Sequence, residues 1–480
     1  MRKILSIVLF ALVGCSLNTA AEDYVVKGKI KGAENQIALV AHHYGNKQFI
    51  KDTIEIDGKG NFLFEPKTID GGIYMIVFPK MENKYFELLL SGNEHNIMFE
   101  TDIKEFVENM KIINSKENRI FYKDLQYLAG LKGQSDKISK GMEIYKENAD
   151  SVKHFRNKMR KLDKEVKNNR NMIIEANPDL FYPKVLNAMR DVEVPDPPKN
   201  ENGEVIDSFF QYKYYKKHYW DNFDLTDGRL IRTPLFHTKL TTYFEQTILQ
   251  APDSIIAATD KFLNTPDLAE DFFKYALVWI LNKNAKSKIM GMDKVYVHLV
   301  DKYYSKGMAS WIGKTDSIKI ADDANRLRPL LIGKQSPNVR LKDLNDRWHD
   351  LYAIDSKYTL VYIWDPDCGH CKKVTPKLGK MYREELKAKG LTIFAISTVT
   401  YEEKNKWTKF LDEHDLHHFI NVHDMYLQTN FRDKFDVAAT PVIFLLDANK
   451  KIIAKRIDVE QLPDFIKHLE DQENKEKGKG

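Results

Sequence analysis

Cys368 and Cys371 stand two residues apart in the stretch TLVYIWDPDCGHCKKVTPKL (359–378), a spacing suited to thiol chemistry. One thiolate can attack a substrate sulfur to give a mixed disulfide, and a second thiol within one helical turn can displace it, closing a Cys368–Cys371 bridge. A structural zinc site needs four ligands, usually from a second Cys-x-x-Cys or a His pair, and the third cysteine of the chain, Cys15, has no such neighbour. Covalent haem of the c type requires His directly after the second cysteine, where Lys372 stands. As a mere staple, a bridge over so short a loop would stabilise by only about 2 kcal/mol. Redox exchange by the pair, with neither metal nor bound cofactor, is what the spacing favours.

The surrounding elements must expose one sulfur and hold the other. Residues 359–364 are β-branched, apolar and aromatic, as in a buried strand; Asp365-Pro366-Asp367 breaks the run, and Lys372 onward reads as a helix. Cys368 then falls at a helix N-terminus, where unpaired amides and the positive end of the macrodipole favour an anion. A free thiol of pKa about 8.5 is only about 3% ionised at pH 7, and such settings lower it to about 3.5–7.5. Cys368 is the expected attacker and Cys371, one turn in, the resolver.

Trp364 four places before Cys368, the Cys-Gly-His-Cys core, Lys372 and Pro376 together resemble the active-site signature of the thioredoxin superfamily. Downstream, LTIFAISTV (391–399) reads as a second buried strand, 402–414 as a helix, and Thr440-Pro441 followed by VIFLLDANKKIIAKR as strand, turn and strand. The resemblance spans about residues 333–472 and implies an α/β thioredoxin fold. It also implies that Pro441 is cis and faces the cysteines, so that Thr440 and Pro441 shape a peptide groove. On sequence alone Pro441 could equally be a trans proline opening a strand. Trp364, Gly369 and His370 are the residues expected to tune the pair. The lead-in QSPNVRLKDLNDRWHDL (335–351) is most similar to TlpA-like thiol-disulfide oxidoreductases of bacterial envelopes.

There are departures from that pattern. Thioredoxins often carry a buried acid six residues before the first cysteine, and here that position is Tyr362. Asp365, Asp367 or water are the candidates to deprotonate Cys371, unless both aspartates are plain turn formers. His370 resembles the disulfide-isomerase type of centre, in which a protonated imidazole stabilises the thiolate and raises the potential; the alternative is a solvated side chain of little effect. A peroxidase of the peroxiredoxin kind is disfavoured, because its Pro-x-x-x-Thr-x-x-Cys motif would need Pro at Val361 and Thr at Asp365.

The length suggests about three domains. Lys plus Arg of 74 against Asp plus Glu of 69 leaves +5, spread without a basic stripe, so nucleic acid is not implied. Met1-Arg2-Lys3 followed by the apolar run 4–14 reads as an export signal over 1–21, too short to span a bilayer as a mature helix. Leu12-Val13-Gly14-Cys15 resembles a lipobox, making Cys15 a lipidation candidate and a lipid anchor the chain's link to a membrane; cleavage after Ala21 would instead discard Cys15. Alternating strands separated by turns, with Asp57-Gly58 and Lys59-Gly60 as hairpin signals, make residues 22–113 an all-β domain, sandwich or barrel-like. Residues 114–330 are mostly helical, and 473–480 read as a disordered tail. The aromatic run 212–220 could be a peptide-binding face or interior packing.

The expected protein is thus multidomain and exported to the periplasm or envelope of a Gram-negative bacterium. It would act as a thiol-disulfide oxidoreductase on disulfide-containing envelope proteins, fed by a membrane thiol-relay electron donor. The competing expectations are a disulfide oxidase or isomerase using the same pair, and a non-catalytic envelope scaffold.

Overall fold

The computed structural model describes residues 24–477. The export signal and Cys15 lie outside the described residues, as does 478–480. The chain divides into two compact units, Met1–Tyr243 with Ala269–Phe272, and Phe244–Leu268 with Phe273–Gly480. The helical stretch expected as one middle domain is therefore shared between them.

In the first unit, β1 (Val25–Lys31), β4 (Asn61–Phe64), β7 (Asn96–Asp102) and β8 (Lys111–Ile112) form one sheet in the order β4-β1-β7-β8; β2 (Ile37–Tyr44), β3 (Lys47–Glu55), β5 (Gly72–Phe78) and β6 (Lys84–Leu90) form a second, β3-β2-β5-β6. The sheets face each other through aromatic rings, Phe86 of β6 meeting Phe99 of β7 edge-on at 5.3 Å. Gly28 is required by this packing, because a Cβ there would lie 2.2 Å from the Phe99 ring. The turn over 57–60 forms, with the Asp57 carboxylate accepting from the Lys59 and Asn61 amides at 2.8 Å, but it does not make a hairpin. β3 pairs with β2 and β4 with β1, so the turn carries the chain from one sheet to the other. The cause lies beyond the turn: Phe62 and Phe64 are almost fully buried, and pairing with β1 is what turns them inward.

Helices α1 (Phe106–Asn109), α2 (Lys116–Ile144), α3 (Ala149–Ala176), α4 (Phe181–Ala188), α5 (Phe210–His218) and α6 (Leu235–Thr242) complete this unit. The aromatic run 212–220 packs inward at its end: Tyr219 is buried against Tyr243, and Trp220 meets Phe223 and Phe236.

The second unit opens with α7 (Pro252–Leu263), most of α8 (Glu270–Ala285), α9 (Asp293–Leu299) and α10 (Lys314–Leu327). Its mixed sheet has the order β10-β9-β13-β12-β11-β14-β15, from β9 (Arg340–Lys342), β10 (Trp348–Asp350), β11 (Tyr358–Trp364), β12 (Leu391–Ser397), β13 (Ile420–His423), β14 (Val442–Leu446) and β15 (Ile452–Lys455). β11 runs parallel to β12 and antiparallel to β14, and all seven of its residues are buried. Its side chains alternate between two cores. Leu360, Tyr362 and Trp364 pack with Leu378 of α11 (Gly369–Met381), Trp407 of α12 (Lys404–Glu413) and Ile466 of α14 (Leu462–Lys477), while Val361 and Ile363 pack on the other face with Phe431 of α13 (Phe431–Lys434) and Phe435.

α14 continues to Lys477, through most of the tail expected to be disordered. Glu473 is held at 3.1 Å by Lys357 and accepts from the Tyr358 hydroxyl at 3.4 Å, which ties the polar end of the helix down. Residues 331–335 lie along the outer edge of β15, with Gly333 N donating to Ile452 O at 2.7 Å and Ile452 N to Lys334 O at 2.9 Å. Beside them the ammonium of Lys455, 4% exposed, pairs with Asp293 of α9 and donates to the Leu330 carbonyl at 2.6 Å. Burial draws the Lys455 pKa below its ordinary value, and Asp293 opposes that.

Removing one partner of a buried ion pair strands the other charge. Asp293→Ala is expected to lower the stability of the second unit by about 3 kcal/mol in urea unfolding, and Asp293→Leu combined with Lys455→Met by much less.

Candidate active site

β11 is sealed on both faces, so the chain surfaces where the strand ends. Asp365 to Asp367 make that turn: the Asp365 carboxylate accepts from the Asp367 amide and the Thr398 hydroxyl, both at 2.7 Å, and its carbonyl accepts from the Cys368 amide at 3.2 Å. Cys368 is the N-cap of α11, which begins at Gly369, three residues before the helix expected from sequence. Cys371 N donates to Cys368 Sγ at 3.4 Å. Both thiols are free; Cys368 is half-buried and Cys371 is completely buried.

The Thr440–Pro441 bond is cis, and the Thr440 carbonyl lies 3.2 Å from Cys368 Sγ, accepting from it while it is protonated. β14, which follows, pairs directly with β11, so one ladder sets both the cysteine turn and the proline loop.

The two sulfurs are electrostatically unlike. Burial raises the Cys368 thiol, but hydrogen bonds from the Thr440 side chain and the backbone of Cys371 and His370 outweigh it, leaving Cys368 below its ordinary value. The thiol form donates to the Thr440 carbonyl, and ionisation gives up that bond while keeping the donors. Burial and the adjacent Cys368 push Cys371 up to about 12, with the Asp365 backbone opposing.

The other residues singled out by sequence divide clearly. Trp364 is fully buried and packs against Tyr362 and Phe410. Gly369 has open space where a Cβ would stand. His370 is exposed, and its backbone amide helps to lower the Cys368 thiol. Asp367 faces two cations, Lys372 at 3.3 Å and Lys406 at 2.6 Å. Neither Asp365 nor Asp367 is hydrogen-bonded through its carboxylate to Cys371 among the described residues; both are turn residues with partners of their own.

Where an acid was absent from the sequence, the Tyr362 hydroxyl lies 2.6 Å from Thr375 Oγ1, both residues fully buried. Burial, with the two nearby cysteines, holds the Tyr362 phenol well above its ordinary value, so this position stays neutral. Thr375, Thr398 and Arg432, which donates to the Thr398 carbonyl at 2.7 Å, were not singled out by sequence. Thr375 alone had a readable signal: it lies four residues after Cys371, on the same helix face.

A family model described as "Thioredoxin-like" matches residues 355–452. The C-terminal domain belongs to the thioredoxin superfamily. Two families described as domains of unknown function match 24–121 (DUF4369) and 154–328 (DUF5106), ahead of the thioredoxin-like domain. The chain is 26% identical over 141 residues to the thiol-disulfide oxidoreductase ResA of Bacillus cereus, covering 29% of this chain and 78% of that one. It is 25% identical over 125 residues to a thioredoxin-like protein of Haemophilus influenzae, covering 26% and 70%. A solved domain of a possible thiol-disulfide isomerase from Cytophaga hutchinsonii is 38% identical, covering 31% of this chain and 98% of that one, with a TM-score of 0.29.

In the reduced protein, iodoacetamide at neutral pH should spare Cys371 and label Cys368. The lower pKa means that its labelling rate should level off at a lower pH than for an ordinary thiol of about 8.5, as mass spectrometry across a pH series would show. Thr375→Val, which leaves the Tyr362 hydroxyl buried without its partner, should cost about 1–3 kcal/mol in urea unfolding, and adding Tyr362→Phe should recover much of it.

Proposed function

We propose that the protein is an exported thiol-disulfide oxidoreductase that reduces disulfides of envelope proteins. The contrast between its sulfurs carries this reading: Cys368, accessible and below its ordinary pKa, stands beside Cys371, sealed in the core and pushed up to about 12.

In the first step the Cys368 thiolate attacks one sulfur of the client disulfide. The Cys368–client S–S bond forms, the client bond breaks, and the departing sulfur takes a proton. Cys371, still protonated, does not compete. In the second step it loses its proton and attacks Cys368 Sγ, so that the Cys368–Cys371 bond forms and the second client thiol leaves. Two electrons and two protons have then passed to the client, and the pair is the only redox group required. The Thr440–Pro441 loop borders the sulfur under attack and shapes the peptide groove. Tyr362 in place of an acid leaves water as the acceptor for the Cys371 proton.

The sequence of 1–21 supports export, with Cys15 as a lipidation candidate. Among the described residues no helix is long and apolar enough to cross a membrane. Outside the cytosol a reductase must be recharged by another dithiol, and a membrane thiol-relay protein has that chemistry. The exposed His370 imidazole beside the site supports a second reading, an oxidase or isomerase using the same pair.

Cys368→Ser should abolish disulfide reduction by the full chain; activity retained in that variant would sink the assignment. The potential of the pair, measured in glutathione buffers with thiol trapping, should fall near that of thioredoxin, about −270 mV. A value near about −180 mV or higher would instead identify the oxidase or isomerase.

A further inference from the structure

The thioredoxin-like domain does not enclose its groove by itself. A cavity of about 490 Å³ beside Thr440 and Pro441 is lined by His370 and Val374 and also by Leu327 and Leu330, which belong to the helical segment ahead of the domain. A second cavity, about 500 Å³, is lined by Leu281, Tyr296, Tyr304, Ile312 and Ile320 of that segment. Leu327, Asp436 and Arg456 line both.

Three observations bear on what could occupy this space. The first cavity is lined by Thr440, whose carbonyl lies 3.2 Å from Cys368 Sγ, so its near end lies beside the sulfur that a client disulfide would engage. The first cavity's lining is mostly Leu, Val, Ile, Phe, Ala and Pro, the second sets apolar side chains beside Asp316, Lys319, Asp323 and Arg326, and at the junction the Asp436 carboxylate is already paired with Arg326 at 3.2 Å. In the second cavity's lining, the Tyr304 hydroxyl is buried and makes no hydrogen bond, which is rare for a buried polar atom. A peptide backbone entering there offers the missing partner. The segment is also fixed in place, by Lys455 to Asp293 and to the Leu330 carbonyl.

We propose that the two cavities form one groove for an extended, apolar stretch of client polypeptide next to its disulfide. It enters at Cys368 and continues over residues 278–327, so the helical segment selects the client. This rests on the thiol-exchange reading above. An extended chain advances about 3.3 Å per residue and turns alternate side chains to one wall, so selection would act several residues from the reacting cysteine.

The test traps a synthetic single-cysteine peptide with apolar flanks as a mixed disulfide on the full chain carrying Cys371→Ser. A photoreactive benzoylphenylalanine is placed at successive positions on either side of the peptide's cysteine. Cross-links read by mass spectrometry should move from 435–444 into 278–327 as the label moves outward on one flank; labels that never reach 278–327 on either flank overturn the proposal. Independently, in the chain with both cysteines, Leu327→Glu should lower at least tenfold the ratio of kcat/KM for a long apolar peptide disulfide to that for 5,5′-dithiobis(2-nitrobenzoate). An unchanged ratio counts against the groove. A natural chain that reduces neither compound would refute the thiol-exchange reading itself, and the cross-linking result separates the two failures.

Discussion

β11 is buried on both faces, and this double burial fixes where the reactive sulfur can be. Tyr362 and Trp364 face the core under α11, α12 and α14, while Val361 and Ile363 face the opposite core. A strand so enclosed can reach solvent only at its end, and there the chain turns and starts a helix. Cys368 caps that helix, so it meets the helix's unpaired amides while remaining partly open to solvent. Cys371, one turn on, has already entered the core. The same strand pairs with β14, which brings the Thr440–Pro441 loop against Cys368.

The buried neighbourhood of Cys371 is neutral. Where a carboxylate would couple its own titration to that of the thiol, a tyrosine and a threonine hydroxyl satisfy each other. The Cys371 thiol is therefore governed chiefly by burial and by its partner sulfur. In the reduced protein both causes keep its proton on; once Cys368 is tied up in a mixed disulfide, the second is removed and burial alone resists ionisation.

Much of this was legible in the sequence because it is encoded locally. The unbroken apolar run of β11, the Asp-Pro-Asp break and the Cys-Gly-His-Cys spacing specify strand, turn and helix start within a few residues. The strand alternation of the N-terminal region was equally plain. What sequence could not supply was partner choice. Asp57 to Gly60 encode a turn, but which strand Phe62 and Phe64 join depends on a core assembled from distant segments. Thr398 and Thr375 are ordinary threonines until the fold sets them beside Asp365 and Tyr362. The end of α14 was misread because charged residues read equally as solvated tail or solvated helix; in the structure Glu473 there pairs with Lys357.

The covering of β15 by residues 331–335, with Lys455 sunk between Asp293 and the Leu330 carbonyl, bears on how separable the catalyst is. A fragment starting near residue 333 would keep both cysteines and the Thr440–Pro441 loop. It would also lose the Asp293 carboxylate and the Leu330 carbonyl that hold its buried ammonium, a defect that lowers stability. The catalytic domain is therefore not a portable cartridge, and recombining it with a different leader requires carrying residues 293–332 along or rebuilding position 455.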